Sequence, residues 1–326
     1  MNKRAQQIMP QTFQTLFATL SIFRPATVTA CGPLTYGVGH GGFARRQQPC
    51  RYRSASVVSQ LSWAALGANL VWCALAVAVY FGAIMVASIR LRNQSIVDIF
   101  WGPGFVLVAV ISYFASTNAG GDGLRRAMVL ALTMIWGLRL GLHIAARNIG
   151  HGEDKRYTVL MSRRTGTVAG YVLRIIYGPQ AVILFVVSLP VQLAMYEPTP
   201  VGVLGALGVA IWCVGFAFEA VGDAQLARFK REPANAGLIM DRGLWAWTRH
   251  PNYFGDACVW FGLWLLSLGH PVGLLTVVSP LLMAYFLVRV SGKALLEKGM
   301  RRSRGAAYDA YAARTSGFFP RPPRRS

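Results

Sequence analysis

Acidic residues are scarce in this chain: 12 Asp and Glu stand against 33 Lys and Arg, a formal net charge of +21. Charge of either sign is scarce as well, at 14% of 326 residues, well below the roughly 25% of a soluble domain. The cysteines Cys31, Cys50, Cys73, Cys213 and Cys258 form no CxxC and no Cys/His spacing, so neither a metal site nor a disulfide framework is supported. No internal repeat is visible, and no GxGxxG unit follows a strand-like run, which argues against a soluble Rossmann domain.

What the chain has instead is long uncharged apolar runs. Residues 61–89, 99–116, 175–196, 201–218 and 271–288 contain no charged side chain. A helix needs about 20 apolar residues to cross ~30 Å of hydrocarbon, and five such runs exceed what buried core helices show. Two weaker runs complete the set: 127–148, interrupted by Arg139 and His143, and 253–270, interrupted by Asp256. The pattern predicts an all-α polytopic membrane bundle of about seven transmembrane helices. Gly178-Pro179 and Pro190 fall inside the fourth span, where they should kink the helix unless neighbours satisfy the freed backbone groups.

The excess of positive charge could suggest a nucleic-acid partner, but it lies in loops and tails beside the spans. Arg147, Lys155, Arg156, Arg163, Arg164 and Arg174 crowd one connection, and Arg228, Lys230, Arg231, Arg242 and Arg249 another. The connections at 197–200 and 269–271 hold no Lys or Arg. Such asymmetry marks the cytoplasmic side, so the reading is a membrane protein with a cytoplasmic C-terminus and no nucleic-acid partner. Topology alone and attraction of an anionic ligand both remain open as reasons for the charge. Residues 1–60 stand apart, with seven basic residues, no acid and a Gly/Pro/Gln-rich stretch. That composition does not specify a packed fold, so the chain divides into a basic extension (1–60) and a transmembrane domain (61–326).

Charged groups at membrane depth are costly and therefore functional candidates. Asp98 opens the second span, where a helix N-terminal acid is also favoured by the dipole. Arg139, His143 and Arg147 lie on one helical face and ask for an anionic partner. Glu219 and Asp223 are likewise four apart, and pairing with Arg139 or Arg147 would account for both sets without any chemistry. The densest cluster runs from Arg242 to Asp256. Pro251 suits the first turn of a helix, and the free N–H groups of that turn, with Arg249 and His250 before it, form an anion site. Asn252 and Asp256 then share one helix face.

At these residues the sequence resembles the steroid 5-alpha-reductase superfamily, in particular a bacterial branch of uncharacterised membrane proteins with that C-terminal domain. The likeness spans roughly residues 88–320. It rests on Val97-Asp98-Ile99-Phe100-Trp101-Gly102, on Trp136-Gly137-Leu138-Arg139-Leu140 with Arg147-Asn148-Ile149-Gly150, and on Glu219-Ala220-Val221-Gly222-Asp223. It rests also on Arg249-His250-Pro251-Asn252-Tyr253-Phe254-Gly255 and on Leu295-Leu296-Glu297-Lys298. The resemblance implies a seven-helix enzyme of the bacterial inner membrane. Such an enzyme holds NADPH in a cytosol-facing cavity and reduces a carbon–carbon double bond of a sterol-like or other lipid drawn from the bilayer. By position, Asn252, Asp256 and Asp223 match cofactor-side groups, and Arg139, Arg147, Asn148, Arg249, His250 and Glu297 join them as candidates. Asp98 and Tyr253 are the candidate catalytic groups, since the reaction needs a polarising donor and a proton source.

The chain also departs from the characterised steroid reductases. They carry an essential Glu in an early membrane helix, whereas the first Glu here is Glu153, and the position of Asp256 is usually Glu in the branch. Two other classes compete. The Arg-His-Pro-x-Tyr motif also occurs in S-adenosylmethionine-dependent membrane methyltransferases of the isoprenylcysteine carboxyl type. A non-catalytic membrane protein or transporter would place its polar groups near mid-bilayer, where few of these candidates lie.

Overall fold

The structure is a computed structural model that describes residues 61–323, apart from Ser291; the basic extension lies outside the described residues. Helix α1 (Trp63–Leu91) leads through a 3-10 segment (Gln94–Phe100) into α2 (Trp101–Ala115) and α3 (Gly123–Asn148). A short α4 (Lys155–Ser162) precedes the composite α5 (Val168–Ala194), followed by α6 (Val203–Arg231) and α7 (Pro251–Leu266). A 3-10 turn (Pro271–Val277) opens α8 (Val278–Tyr285), and α9 (Lys293–Arg304) and α10 (Ala306–Arg314) close the chain. Local sequence fixes several of these starts. Asp122, Asp154 and Thr167 each accept a hydrogen bond from a backbone N–H of the first turn they precede, which satisfies one orphan donor of that turn.

Six segments are long and apolar enough to cross a membrane, and among the described residues no strand is present. Large apolar side chains such as Trp72, Val79, Leu142, Val182, Val203 and Leu275 point outward, a surface that suits lipid and not water. The predicted span at 253–270 is the 16-residue α7, about 24 Å long at 1.5 Å per residue and shorter than a full crossing. Its far end is finished by another helix. Arg125 of α3, only 2% exposed, donates to the carbonyl of Leu266 and to those of Thr199 (3.0 Å) and Pro200 (2.9 Å). The last carbonyl of α7 thus finds its donor inside the protein.

The kink expected in α5 is present in two steps. A π-helical turn (Leu173–Tyr177) runs directly into Gly178, and the helix breaks again at Ser188 before Pro190. A π turn absorbs the bond that proline cannot make, and a Cβ at Gly178 would lie 2.6 Å from the Leu173 carbonyl oxygen.

Helices α6 and α7 form the tightest seam. Gly208, Gly215 and Gly222 recur every seven residues on α6, and Gly255 and Gly262 do so on α7. A Cβ at Gly215 would lie 2.6 Å from the Gly255 carbonyl oxygen, and one at Gly262 2.5 Å from that of Gly208. Small residues at such spacing let two backbones touch within a membrane. Beside the seam, Phe105, Trp136 and Trp260 form the aromatic centre, with Phe105 and Trp260 ring centroids 4.4 Å apart. At the end away from the basic loops, Asn69, Ser112, Gln192 and Ser188 form a fully buried hydrogen-bonded chain between α1, α2 and α5.

Candidate functional site

Two helices, α3 and α7, converge on the acidic pair of α6. From α3, Trp136 donates its indole N–H to Glu219 Oε2 at 2.8 Å, and Arg139 donates to Glu219 Oε1 at 2.6 Å. The same guanidinium pairs with Asp223, whose Oδ2 also lies 3.6 Å from His143 Nε2. From α7, the amide of Asn252 donates to Asp223 Oδ1 at 3.1 Å. Asp256, one turn further on, is within electrostatic reach of both acids. Its Oδ1 is buried and has no hydrogen-bond partner by distance and angle among the described residues. Three carboxyl groups therefore share one guanidinium, and the pairing that would explain Arg139, Glu219 and Asp223 without chemistry is present. It does not explain Asp256, whose nearest donor is the indole of Trp260 on its own helix.

The charge reverses toward the basic end. His143, Arg147 and Lys230 lie within electrostatic reach of one another. Arg147 is exposed, and its side chain donates to Asn148 Oδ1 at 3.0 Å. The amide nitrogen of Asn148 is buried without a partner among the described residues, and Asn148 lines a cavity of about 150 Å³ with Asn93, Ser95 and Ile99. Acidic groups thus lie within the bundle and cationic groups toward its basic end.

Arg249, His250 and Glu297 stand together in a different place. Arg249 donates to Glu297 Oε1 (3.0 Å) and to the carbonyls of Thr315 (2.7 Å) and Ala312 (3.1 Å). Its own N–H donates to the Ser316 carbonyl at 2.9 Å. His250 Nε2 lies 3.2 Å from the same Glu297 oxygen. Thr248 Oγ1 donates to the Phe318 carbonyl, and the carbonyls of Trp245 and Trp247 accept from the Tyr311 hydroxyl and the Arg321 N–H. The Arg-His-Pro start of α7 is consequently the anchor of the C-terminal segment, with Arg249 satisfying the last carbonyls of α10 as a cation at a helix C-terminus does. Burial pushes the His250 imidazole below its ordinary value, and Glu297 only partly offsets this.

The two catalytic candidates differ in their surroundings. Asp98, on the 3-10 segment, accepts from the Tyr157 hydroxyl at 2.6 Å and from Arg156 at 2.8 Å, so its carboxylate is already engaged. Burial and the Asp98 charge push the Tyr157 phenol well above its ordinary value. Tyr253 stacks its ring flat on His250, centroids 5.4 Å apart. Its hydroxyl has no hydrogen-bond partner among the described residues, and it lies within electrostatic reach of Arg156, Arg147, Asp223 and Asp256. Tyr253 therefore stands between the acid cluster and the Asp98 group. Sequence reading had no signal for Tyr157, which belongs to no motif and meets Asp98 only through the return of α4.

Residues 84–315 match the family described as "Protein of unknown function (DUF1295)", and the chain belongs to that family. It is also similar to the Delta(14)-sterol reductase TM7SF2 of Mus musculus, at 26% identity over 160 residues. That match covers 44% of this chain and 37% of the relative's length. No solved structure matches the chain.

Proposed function

We propose that this chain is an NADPH-dependent membrane reductase of a carbon–carbon double bond in a sterol-like or other lipid. The observation that carries the reading is the graded charge of the candidate residues, acidic and hydrogen-bond accepting within the bundle, cationic toward its basic end. A dinucleotide has that grading in reverse. Its ribose hydroxyls and carboxamide donate hydrogen bonds, which the buried Asp256 Oδ1 would accept, while its phosphates seek guanidinium groups such as Arg147. Similarity to a protein named as a sterol reductase supports the same class.

In this reading Asp223, Asn252 and Asp256 hold the hydroxyl and amide groups, and Arg139 fixes Asp223 in place. Arg147, with Asn148 beside it, meets phosphate. NADPH would supply hydride. Tyr253, with its free hydroxyl, supplies the proton to the adjacent carbon. Asp98 positions Tyr157 and Arg156 beside it. The basic end faces the cytosol, where NADPH is available, and the substrate enters from the lipid.

One observation favours a second reading: three carboxyl groups around one guanidinium would also suit the sulfonium and amine of S-adenosylmethionine. Thermal unfolding of the purified chain in detergent separates the two. NADPH should raise the midpoint, less so at high salt. Stabilisation by S-adenosylmethionine and not NADPH would refute the reductase assignment.

A further inference from the structure

A groove of about 730 Å³ runs along the outer side of α6, between its basic end and the 233–243 loop. It is separate from the acid cluster, and neither reading of the site uses it. Its lining changes character along the helix. Ala220, Val221 and Ala224 form an apolar wall within the membrane-spanning length of α6, and Phe229 continues it. Arg228 and Arg242 close the basic end. From Ala220 to Arg228 is eight residues, about 12 Å along the axis, so the apolar wall lies at acyl-chain depth when the arginines lie among headgroups.

Both arginines are exposed, and neither forms an ion pair among the described residues, although Glu232 lines the same groove. Nearby arginines are differently placed: Arg314 pairs with Asp241 of the same loop, and Arg301 with Asp309. The volume is in the ~300–1,000 Å³ range of sites that enclose a whole organic ligand and far exceeds what an inorganic anion fills. An apolar wall continuous with hydrocarbon and ending in two unpaired guanidinium groups complements one kind of molecule, an amphiphile with a phosphate headgroup.

We propose that this groove binds an anionic phospholipid, with its acyl chain along Ala220–Ala224 and its phosphate between Arg228 and Arg242. The test is lipid retention by the full chain, measured by native mass spectrometry from detergent with phosphatidic acid and phosphatidylcholine in competition. Phosphatidic acid should be retained preferentially. R228Q/R242Q should lower its affinity roughly thirtyfold, at about a factor of five per arginine. Ala224→Trp, which fills the apolar wall and keeps both arginines, should lower it as well. Equal retention of the two lipids by the wild-type chain would overturn the proposal, whatever the variants do. So would wild-type affinity in R228Q/R242Q, or displacement of the lipid by inorganic phosphate, which would mark a free-anion site instead.

Discussion

Tyr157 donates its hydroxyl proton to Asp98 across 59 residues of sequence, at 2.6 Å, while Arg156 holds the other carboxylate oxygen. The first acid at a membrane span is thereby satisfied from a short helix in the basic loop.

Tyr157→Phe removes one of the two donors to Asp98 and leaves its shape in place. A lost bond to a charged, partly buried acceptor costs about 1.5–3 kcal/mol. The expected result is a lower unfolding midpoint in detergent, with Asp98→Asn/Tyr157→Phe closer to either single variant than to their sum. Additivity would show that the two residues are not coupled.

Arg139→Ala should be far more damaging. It strands Glu219 and Asp223, which are 2% and 7% exposed, and breaking a buried pair costs about 3–5 kcal/mol. Arg139→Lys should recover only part, since a point charge cannot match the fork that reaches both acids. Folded yield by size-exclusion chromatography in detergent reads the order wild type, Lys, Ala.

His250 gives a pH dependence with a definite sign. Its folded pKa lies below the ordinary value of about 6.5 because of burial. The unfolded chain therefore binds more protons in the window just below 6.5, and stability falls as pH drops through it. Replacement by Gln should flatten the unfolding midpoint between pH 7 and pH 5, in roughly the range where the imidazole titrates. An unchanged slope would place the pH response elsewhere.

Glu297→Gln weakens the hold of Arg249 and His250 on α9. Protease should then cleave the segment after α8 faster, by about the factor of five to ten that 1–1.4 kcal/mol of local stability represents. Cleavage unchanged from wild type would show that the carbonyl contacts to Ala312 and Thr315 suffice alone.

Gly215→Ala should destabilise by about 1–3 kcal/mol through overpacking, because the new Cβ would press on the Gly255 carbonyl. Gly67→Ala on α1 is the control, with nothing within 4 Å of its added Cβ and a gain of about 0.5–1 kcal/mol in helix propensity. Thermal unfolding of the two should move in opposite directions.

Much of the fold was legible because hydrocarbon imposes one rule on the chain: uncharged runs of about 20 residues. The joint explanation of Arg139 with Glu219 and Asp223 was legible for the same reason, since helical spacing put each set on a face and charge demanded a partner. The short α7 was not, because its end depends on Arg125, more than 100 positions away in sequence, donating to Leu266. The role of Arg249 was hidden similarly. Its position before Pro251 suggests a ligand, but the carbonyls it meets are 63 and 66 residues further on and carry no side-chain signature.

The glycine seam between α6 and α7 has a mechanical consequence. Where backbone rests on backbone there are no rotamers to exchange, so these helices cannot slide or roll without colliding. Glu219, Asp223, Asn252 and Asp256 are mounted on that immobile pair and keep their spacing whether or not anything is bound. Movement that admits a ligand must then come from α3, whose Arg139 and His143 side chains are 19% and 29% exposed. One wall of the site is an anvil, and the other is the part that travels.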